Sequence, residues 1–296
     1  MDAVLLKKVY VVIALVAVGS AMLEGLVLTL TADKKYDWRG AMASLAIAAG
    51  RRLADFIPAF LALPGAAWLY EHRLLNWNMK DPLSWLVLFL ALEFAYYWFH
   101  RASHRVRWFW ANHAVHHSPN QFNLSAAYRL GWFSKITLSL VFFSPLALLG
   151  FAPQVILVAF AINLLYQFWI HAEWIPKLGL LEGIINTPSA HRVHHAANLE
   201  YLDANYGGVL VIFDRMFGTY IPERDDLKPR YGWVKPLTSN NPLRIMFQPW
   251  IDIVADLRKA RSARDVVGYL FGPPGWQPDG NGPTTENLRR QAAAQP

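Results

Sequence analysis

The 296-residue chain contains no cysteine. Disulfides, iron–sulfur clusters and thiolate-held haem or zinc are therefore excluded within it, and any metal must be bound through nitrogen or oxygen. Charged residues are sparse, at 17%. No basic run is interleaved with a recognisable nucleic-acid module, so the net charge of +7 suits anionic headgroups at a membrane better than nucleic acid. The zinc-protease patterns H-E-x-x-H and H-x-x-E-H are also missing, and with them the general-base glutamate that such chemistry needs.

What the chain has in quantity is apolar sequence, 54% of residues, gathered in blocks. Residues 9–30 are apolar apart from Ser20, Glu24 and Thr29, long enough to cross a hydrocarbon core of ~30 Å. Lys7 and Lys8 precede this block as in a signal peptide, but the run is too long for an ordinary one and reads as a retained span. Residues 41–70 are interrupted by Arg51, Arg52, Asp55, Pro58 and Pro64, and read as a broken span or an interfacial helix. Residues 83–99 form a further span that starts at Asp81-Pro82. Residues 132–149 and 154–170, joined by Gly150-Phe151-Ala152-Pro153, read as a helical hairpin. Loop lysines and arginines place the segments around residues 100–131 and after 171 on the cytoplasmic side. The expected fold is all-α: four or five transmembrane helices carrying a cytoplasmic helical cap. Residues 1–75 are expected to hold N-terminal membrane helices, 76–271 the catalytic domain and 272–296 a disordered tail rich in Pro, Gly, Asn, Gln and Thr.

Nine of the ten histidines have metal-ligand spacing. They are His100-Arg-Ala-Ser-His104, His113-Ala-Val-His116-His117, His191-Arg-Val-His194-His195 and the solitary His171. Positions i, i+3 and i+4 share a helix face, so each cluster is expected to aim its imidazoles at one spot. Nine donors are about what two metal ions with open positions require. Imidazole suits iron, zinc and copper. His72 is set aside as a polar tip at the membrane interface. A membrane metal carrier or sensor is the alternative, but it would need polar groups strung through the spans. Glu93, seven residues before His100, is expected to accept an imidazole N–H. Asn198, Asp203 and Asn205 follow the third cluster and are candidates to orient ligands or metal-bound water. Tyr96 and Tyr97 are candidates to line a substrate channel, while Trp108 and Trp110 suit interface anchors.

The succession H-x-x-x-H, H-x-x-H-H and a distant H-x-x-H-H resembles the fatty acid hydroxylase / sterol desaturase superfamily of membrane enzymes. The flanks add to the likeness: Glu93-Phe-Ala-Tyr-Tyr97, Trp110-Ala-Asn-His113, Thr187-Pro-Ser-Ala-His191, Tyr201-Leu-Asp-Ala-Asn-Tyr-Gly-Gly208 and Phe213-Asp-Arg-Met-Phe-Gly-Thr219. They look most like the bacterial sterol desaturase-like and alkylglycerol monooxygenase-like branch, over about residues 80–225. The resemblance implies two iron ions held by His100, His104, His113, His116, His117, His171, His191, His194 and His195. It implies O2-dependent hydroxylation or desaturation of a lipid such as a sterol, ether lipid or fatty acyl chain. The electrons would come from an external donor (a ferredoxin, a cytochrome b5-like protein or a reductase), since no flavin, haem or iron–sulfur signature is present.

Overall fold

A computed structural model describes residues 3–32, 35–54 and 63–294. Asp55 and Pro58, two of the expected interruptions in residues 41–70, lie outside the described residues. The described chain forms twelve α-helices and no β-strand: α1 (Ala3–Thr31), α2 (Trp38–Ala54), α3 (Leu63–Glu71), α4 (Pro82–Arg105), α5 (Arg107–His113), α6 (Ser144–Leu148), α7 (Pro153–Trp169), α8 (Pro188–His194), α9 (Ile212–Met216), α10 (Pro242–Leu257), α11 (Ala263–Phe271) and α12 (Thr285–Ala293). The all-α expectation holds.

Among the described residues, only α1, over Val11–Thr31, and α4 are long and apolar enough to cross a membrane. α7 is apolar but has 17 residues, about 26 Å at ~1.5 Å per residue. Four or five spans were expected; two such helices are present among the described residues. The expected hairpin has only one regular limb, α7. Its partner breaks into turns, a 3₁₀ segment at Ser139–Phe143 and the short α6. The cause is local: the Thr137 hydroxyl donates to the Ser134 carbonyl and pairs with Ser139, and Leu138 adopts a left-handed φ of 59°. Pro145 then has no N–H to carry a helix through from the preceding turn. α6 ends at Gly150, whose φ of 107° and contact with the Leu75 carbonyl exclude a side chain.

α4 forms as its sequence directs. Asp81 caps it by accepting from the Leu83 N–H, and Pro82 occupies the first turn. Leu88, Leu92 and Tyr96 pack into a core with Phe143, Leu146, Phe151 and Ile156, while Leu86, Leu90 and Phe94 face outward. The helix outlasts the expected span by a turn and a half, which carries His100 and His104 on the same rigid rod as the apolar segment. α1 is joined to the segments after α5 and α7 through Glu24, which accepts from the Leu124 N–H at 2.8 Å and the Trp174 indole N–H at 3.0 Å.

The segment from Gly272 is folded, which corrects the expected tail. Thr284 caps α12, Arg105 pairs with Glu286, and Arg289 donates to the Leu202 carbonyl at 2.8 Å. The Arg107 N–H donates to the Gly272 carbonyl at 3.0 Å. Short polar residues here close turns and caps.

Arg129 is buried and, among the described residues, faces no carboxylate at hydrogen-bond range. Its guanidinium donates to Ser44 Oγ at 2.8 Å, to Ser118 Oγ at 3.0 Å and to the Gly40 carbonyl. Burial pulls its pKa down to about 10, which leaves it charged at neutral pH. The fork ties α2 to the residue that follows His116-His117. A lysine cannot reach three acceptors in one plane, so Arg129→Lys is expected to cost about 2 kcal/mol, read as a lowered unfolding midpoint in detergent.

Candidate metal centre

Four separate segments deliver the nine histidines to one buried place. His100 and His104 lie one turn apart at the end of α4. His113 closes α5, and His116 and His117 sit in the turn that follows it. His171 follows α7, His191 and His194 belong to α8, and His195 caps it. α8 starts at Pro188 with Thr187 accepting from the Ala190 N–H, so a capped short helix fixes the third cluster.

The clusters do not each serve one spot, as the spacing had suggested. The side chains form two groups: His100, His104, His113, His117 and His194, and then His116, His171, His191 and His195. Within each group the nearest ring nitrogens all lie within 4.8 Å of one another. Each H-x-x-H-H motif gives its outer pair, four residues apart, to one group and its middle histidine to the other. His100–His104 adds a second such pair to the first group, and His171 completes the second. The two groups adjoin, with the His117 and His195 rings stacked at 4.2 Å. His72 is remote and exposed, its Nδ1 against the Trp68 carbonyl.

Hydrogen bonding fixes which nitrogen is free. His100 Nδ1 meets the Tyr206 carbonyl at 2.9 Å, His171 Nδ1 the Gln167 carbonyl at 2.7 Å and His194 Nδ1 the Ala204 carbonyl at 2.9 Å. A carbonyl only accepts, so in these neutral rings Nδ1 bears the proton and Nε2 a bare lone pair. Those lone pairs converge. His100 and His113 Nε2 stand 3.0 Å apart, His113 and His117 3.2 Å, and His171 and His191 3.1 Å. Nε2 of His104, His194 and His195 is buried with no protein partner. Neighbouring ligands around an ion at about 2.1 Å would stand about 3 Å apart. Both groups therefore fit a metal ion.

Burial holds His194 down to about 3 and His116 down to about 4, so both are neutral and ligand-competent at physiological pH. Phe122 stacks on His171 at 5.4 Å, lies 5.0 Å from His195 and is backed by Tyr231, which closes the second group from water. The first group opens into a cavity of about 530 Å³ that reaches His104, His117, His194 and His195. Its outer wall comes from residues 232–237, α10 and residues 273–288.

Other candidates are placed differently. Glu93 touches no histidine. It accepts from the Val209 and Leu210 N–H groups at 2.8 and 2.7 Å and from the Asn163 amide, because the 206–210 loop turns its N–H groups toward α4. It holds the loop whose Tyr206 carbonyl orients His100. Asn198 accepts from the Arg230 N–H and donates to the Lys228 carbonyl, so it fixes a loop away from the metal groups. Asn205 likewise donates to the Ala190 and Ile221 carbonyls. Asp203 is near the site: Arg105 donates to it at 2.7 Å, and its other oxygen lies 3.9 Å from His104 Nδ1. Tyr96 donates to Gln167 and Tyr97 pairs with Thr219, so both brace helices. Trp110 lines the cavity 5.3 Å from the His104 ring, which corrects its reading as an interface anchor. The orienting carbonyls of Tyr206, Gln167 and Ala204 have no residue-type signal and were not legible in advance.

Residues 85–219 match the family model described as fatty acid hydroxylase. Over that segment the chain is similar to the fatty acid hydroxylase family. It is 39% identical over 240 residues to the alkylglycerol monooxygenase of Xenopus tropicalis, covering 80% of this chain and 52% of that one. The human alkylglycerol monooxygenase is 39% identical over 239 residues, 80% and 53% of the two chains. An ornithine lipid hydroxylase of Rhizobium tropici is 32% identical over 149 residues, 49% and 44%. The chain spans about half the length of the alkylglycerol monooxygenases it matches. No solved structure matches it.

Two outcomes follow from this geometry. In metal-loaded protein, His171→Ala or His191→Ala is expected to lose one ion and His104→Ala or His113→Ala the other; combining His104→Ala with His171→Ala loses both. Metal per chain, measured by mass spectrometry, checks the partition. The second concerns protons. His194 and His116 stay neutral in the folded chain, while the unfolded chain protonates them below the ordinary 6.5. Protons then favour the unfolded state, so metal-free protein should lose stability as pH falls from 6.5 toward about 4. Thermal unfolding of chelator-treated protein at pH values inside and above that window reads the effect; unchanged midpoints would contradict it.

Proposed function

We propose that the chain is a membrane-bound, O2-dependent di-iron oxygenase that hydroxylates an ether lipid. The observation that carries this reading is the convergence of nine buried imidazoles into two adjoining groups with their lone pairs turned inward. Nitrogen-only donors suit iron, and bound iron would supply the activation of O2 for attack on a C–H bond. The reaction takes one oxygen atom of O2 into a C–OH; the other leaves as water with two electrons and two protons. In an ether, the carbon beside the oxygen is the favoured position, because the oxygen lone pair stabilises electron deficiency there. The hydroxylated product is a hemiacetal, which separates into an aldehyde and an alcohol.

The protein's own part is positional. Carbonyls of Tyr206, Gln167 and Ala204 hold three rings in the tautomer that presents Nε2. Asp203, steadied by Arg105, lies beside His104 Nδ1 and favours the same tautomer there. Glu93 keeps the 206–210 loop against α4. Phe122, Tyr231 and α12 exclude bulk water. The chain has no redox group of its own, so a ferredoxin, cytochrome b5-like protein or reductase supplies electrons. The loop charges support a multi-pass protein with the histidines on the cytoplasmic side. The relatives' names, monooxygenase and lipid hydroxylase, support hydroxylation over desaturation. No observation favours a metal carrier or sensor.

Iron-loaded protein given a reductant, isotopically labelled O2 and an alkyl glycerol lipid is expected to yield product with one labelled oxygen atom. Lipid mass spectrometry reads it. His116→Ala and His194→Ala should each abolish the product, and activity surviving in both would sink the ligand assignment.

A further inference from the structure

Beyond α7 the chain leaves a group of large apolar side chains uncovered. In the turn at Gly179–Leu181, Leu180 is 93% exposed; Leu181 and Ile184 are exposed beside it. Opposite them, α9 presents Ile212 and Met216, the latter 65% exposed. The two segments are one surface: the Val211 N–H donates to the Ile184 carbonyl at 3.1 Å, and Arg215 Nη1 to the Gly183 carbonyl at 3.2 Å. Ile184, Ile212 and Met216 border a shallow depression between them.

The nearby charges are turned off this surface or lie at its edge. Glu182 is satisfied internally by the Leu178 N–H at 2.8 Å and the Thr187 hydroxyl at 2.7 Å. Arg215 is exposed and folds back onto the Gly183 carbonyl. A long cationic side chain beside exposed leucine, isoleucine and methionine, with Trp174 59% exposed nearby, is the composition of a membrane interface.

The surface also continues the outward flank of α4. Phe213 lies 5.4 Å from Phe94, and Phe217 lies 5.1 Å from Trp98 and 5.2 Å from Tyr97. Phe94 and Trp98 are themselves exposed on that flank, in line with Leu83, Leu86 and Leu90. Phe94 precedes His100 by six residues, about 9 Å along the helix.

We propose that the 179–184 turn and α9 form a shelf immersed in the lipid at the headgroup–hydrocarbon boundary, at the depth of the metal centre. This rests on the reading of α4 as a membrane helix. A free-standing apolar surface of this kind would be costly in water; against acyl chains it is covered, and Arg215, folded onto the Gly183 carbonyl, sits at its edge at headgroup level. The shelf brings the lipid's headgroup end, rather than its chain terminus, level with the histidines.

The absence of native cysteine makes a direct test available. Single variants Leu180→Cys, Met216→Cys, Leu90→Cys and Asp225→Cys carry an environment-sensitive fluorophore, in full-length protein in phosphatidylcholine nanodiscs. Position 90 marks the α4 flank, and Asp225, with its side chain 94% exposed, marks water. Quenching is measured with iodide and with phosphatidylcholine bearing a nitroxide near the headgroup. The shelf predicts blue-shifted emission and loss of intensity to the nitroxide lipid at positions 180 and 216 comparable to that at 90, with little loss to iodide. Iodide quenching at 180 and 216 like that at 225, with position 90 still lipid-quenched, overturns the shelf and leaves the membrane reading standing. Resistance to both quenchers at 180 and 216 assigns the surface to a protein partner or a second copy and also overturns it. Iodide quenching at position 90 as well overturns both readings.

Discussion

A neutral imidazole has one proton and one lone pair, and the fold is arranged around where each of the two goes. Wherever a backbone carbonyl takes the Nδ1 proton, the Nε2 lone pair must face the interior. One loop supplies two such carbonyls, at Ala204 and Tyr206, and the last turn of α7 supplies the third, at Gln167. Lone pairs about 3 Å apart in a buried site repel one another and lack the hydration they would have in water. A bound cation reverses that balance. Much of the surrounding structure serves to hold rings in an arrangement that pays off only once metal is present.

That constraint explains the polar interior next to an apolar helix bundle. Glu93, Asn163, Gln167 and Tyr96 form a connected chain between α4 and α7. One end holds the 206–210 loop, whose carbonyl orients His100; the other is Gln167, whose own carbonyl orients His171. One buried network thus sets a ring in each metal group. Arg129 does comparable work for the second motif by tying Ser118 to α2. These polar groups are buried at a cost that would be hard to justify for stability alone. They act by making the angle between helices specific.

The sequence made the nine histidines legible because ligand chemistry needs residue types and spacings that chance rarely supplies. α4 was legible too, since Asp81-Pro82 and the apolar run are local signals. His171 shows where local reasoning thins. It belongs to no motif, and only the turn after α7 brings it between His116 and His191. The division of each H-x-x-H-H motif runs within one shared helix face, because positions i+3 and i+4 differ by about 100° around a helix and can aim adjacent rings at different groups. What overrode the simple reading was tertiary: the residues after His113 leave the helix, so the motif straddles a turn. Residues 132–149 misled for a related reason. Hydropathy registers that a segment is buried, but not that Thr137, Ser139 and Pro145 break its backbone into turns.

The C-terminal region shows what composition alone conceals. Residues 272–294 carry the polar, Gly- and Pro-rich signature of a loose tail, and they lie outside the segment that matches the family. Yet Arg105, next to His104, joins Asp203 on one side to Glu286 of α12 on the other. Thr285 and Leu288 line the cavity that reaches four of the histidines. Exposed ion pairs of this kind contribute little to stability. Their consequence here is geometric: they join the wall of the cavity to the helix that carries two of the nine histidines. The shape of the space above the first histidine group is therefore set in part by residues that the family signature does not include. Differences in what relatives admit to a shared histidine site are physically free to arise there without disturbing a single histidine.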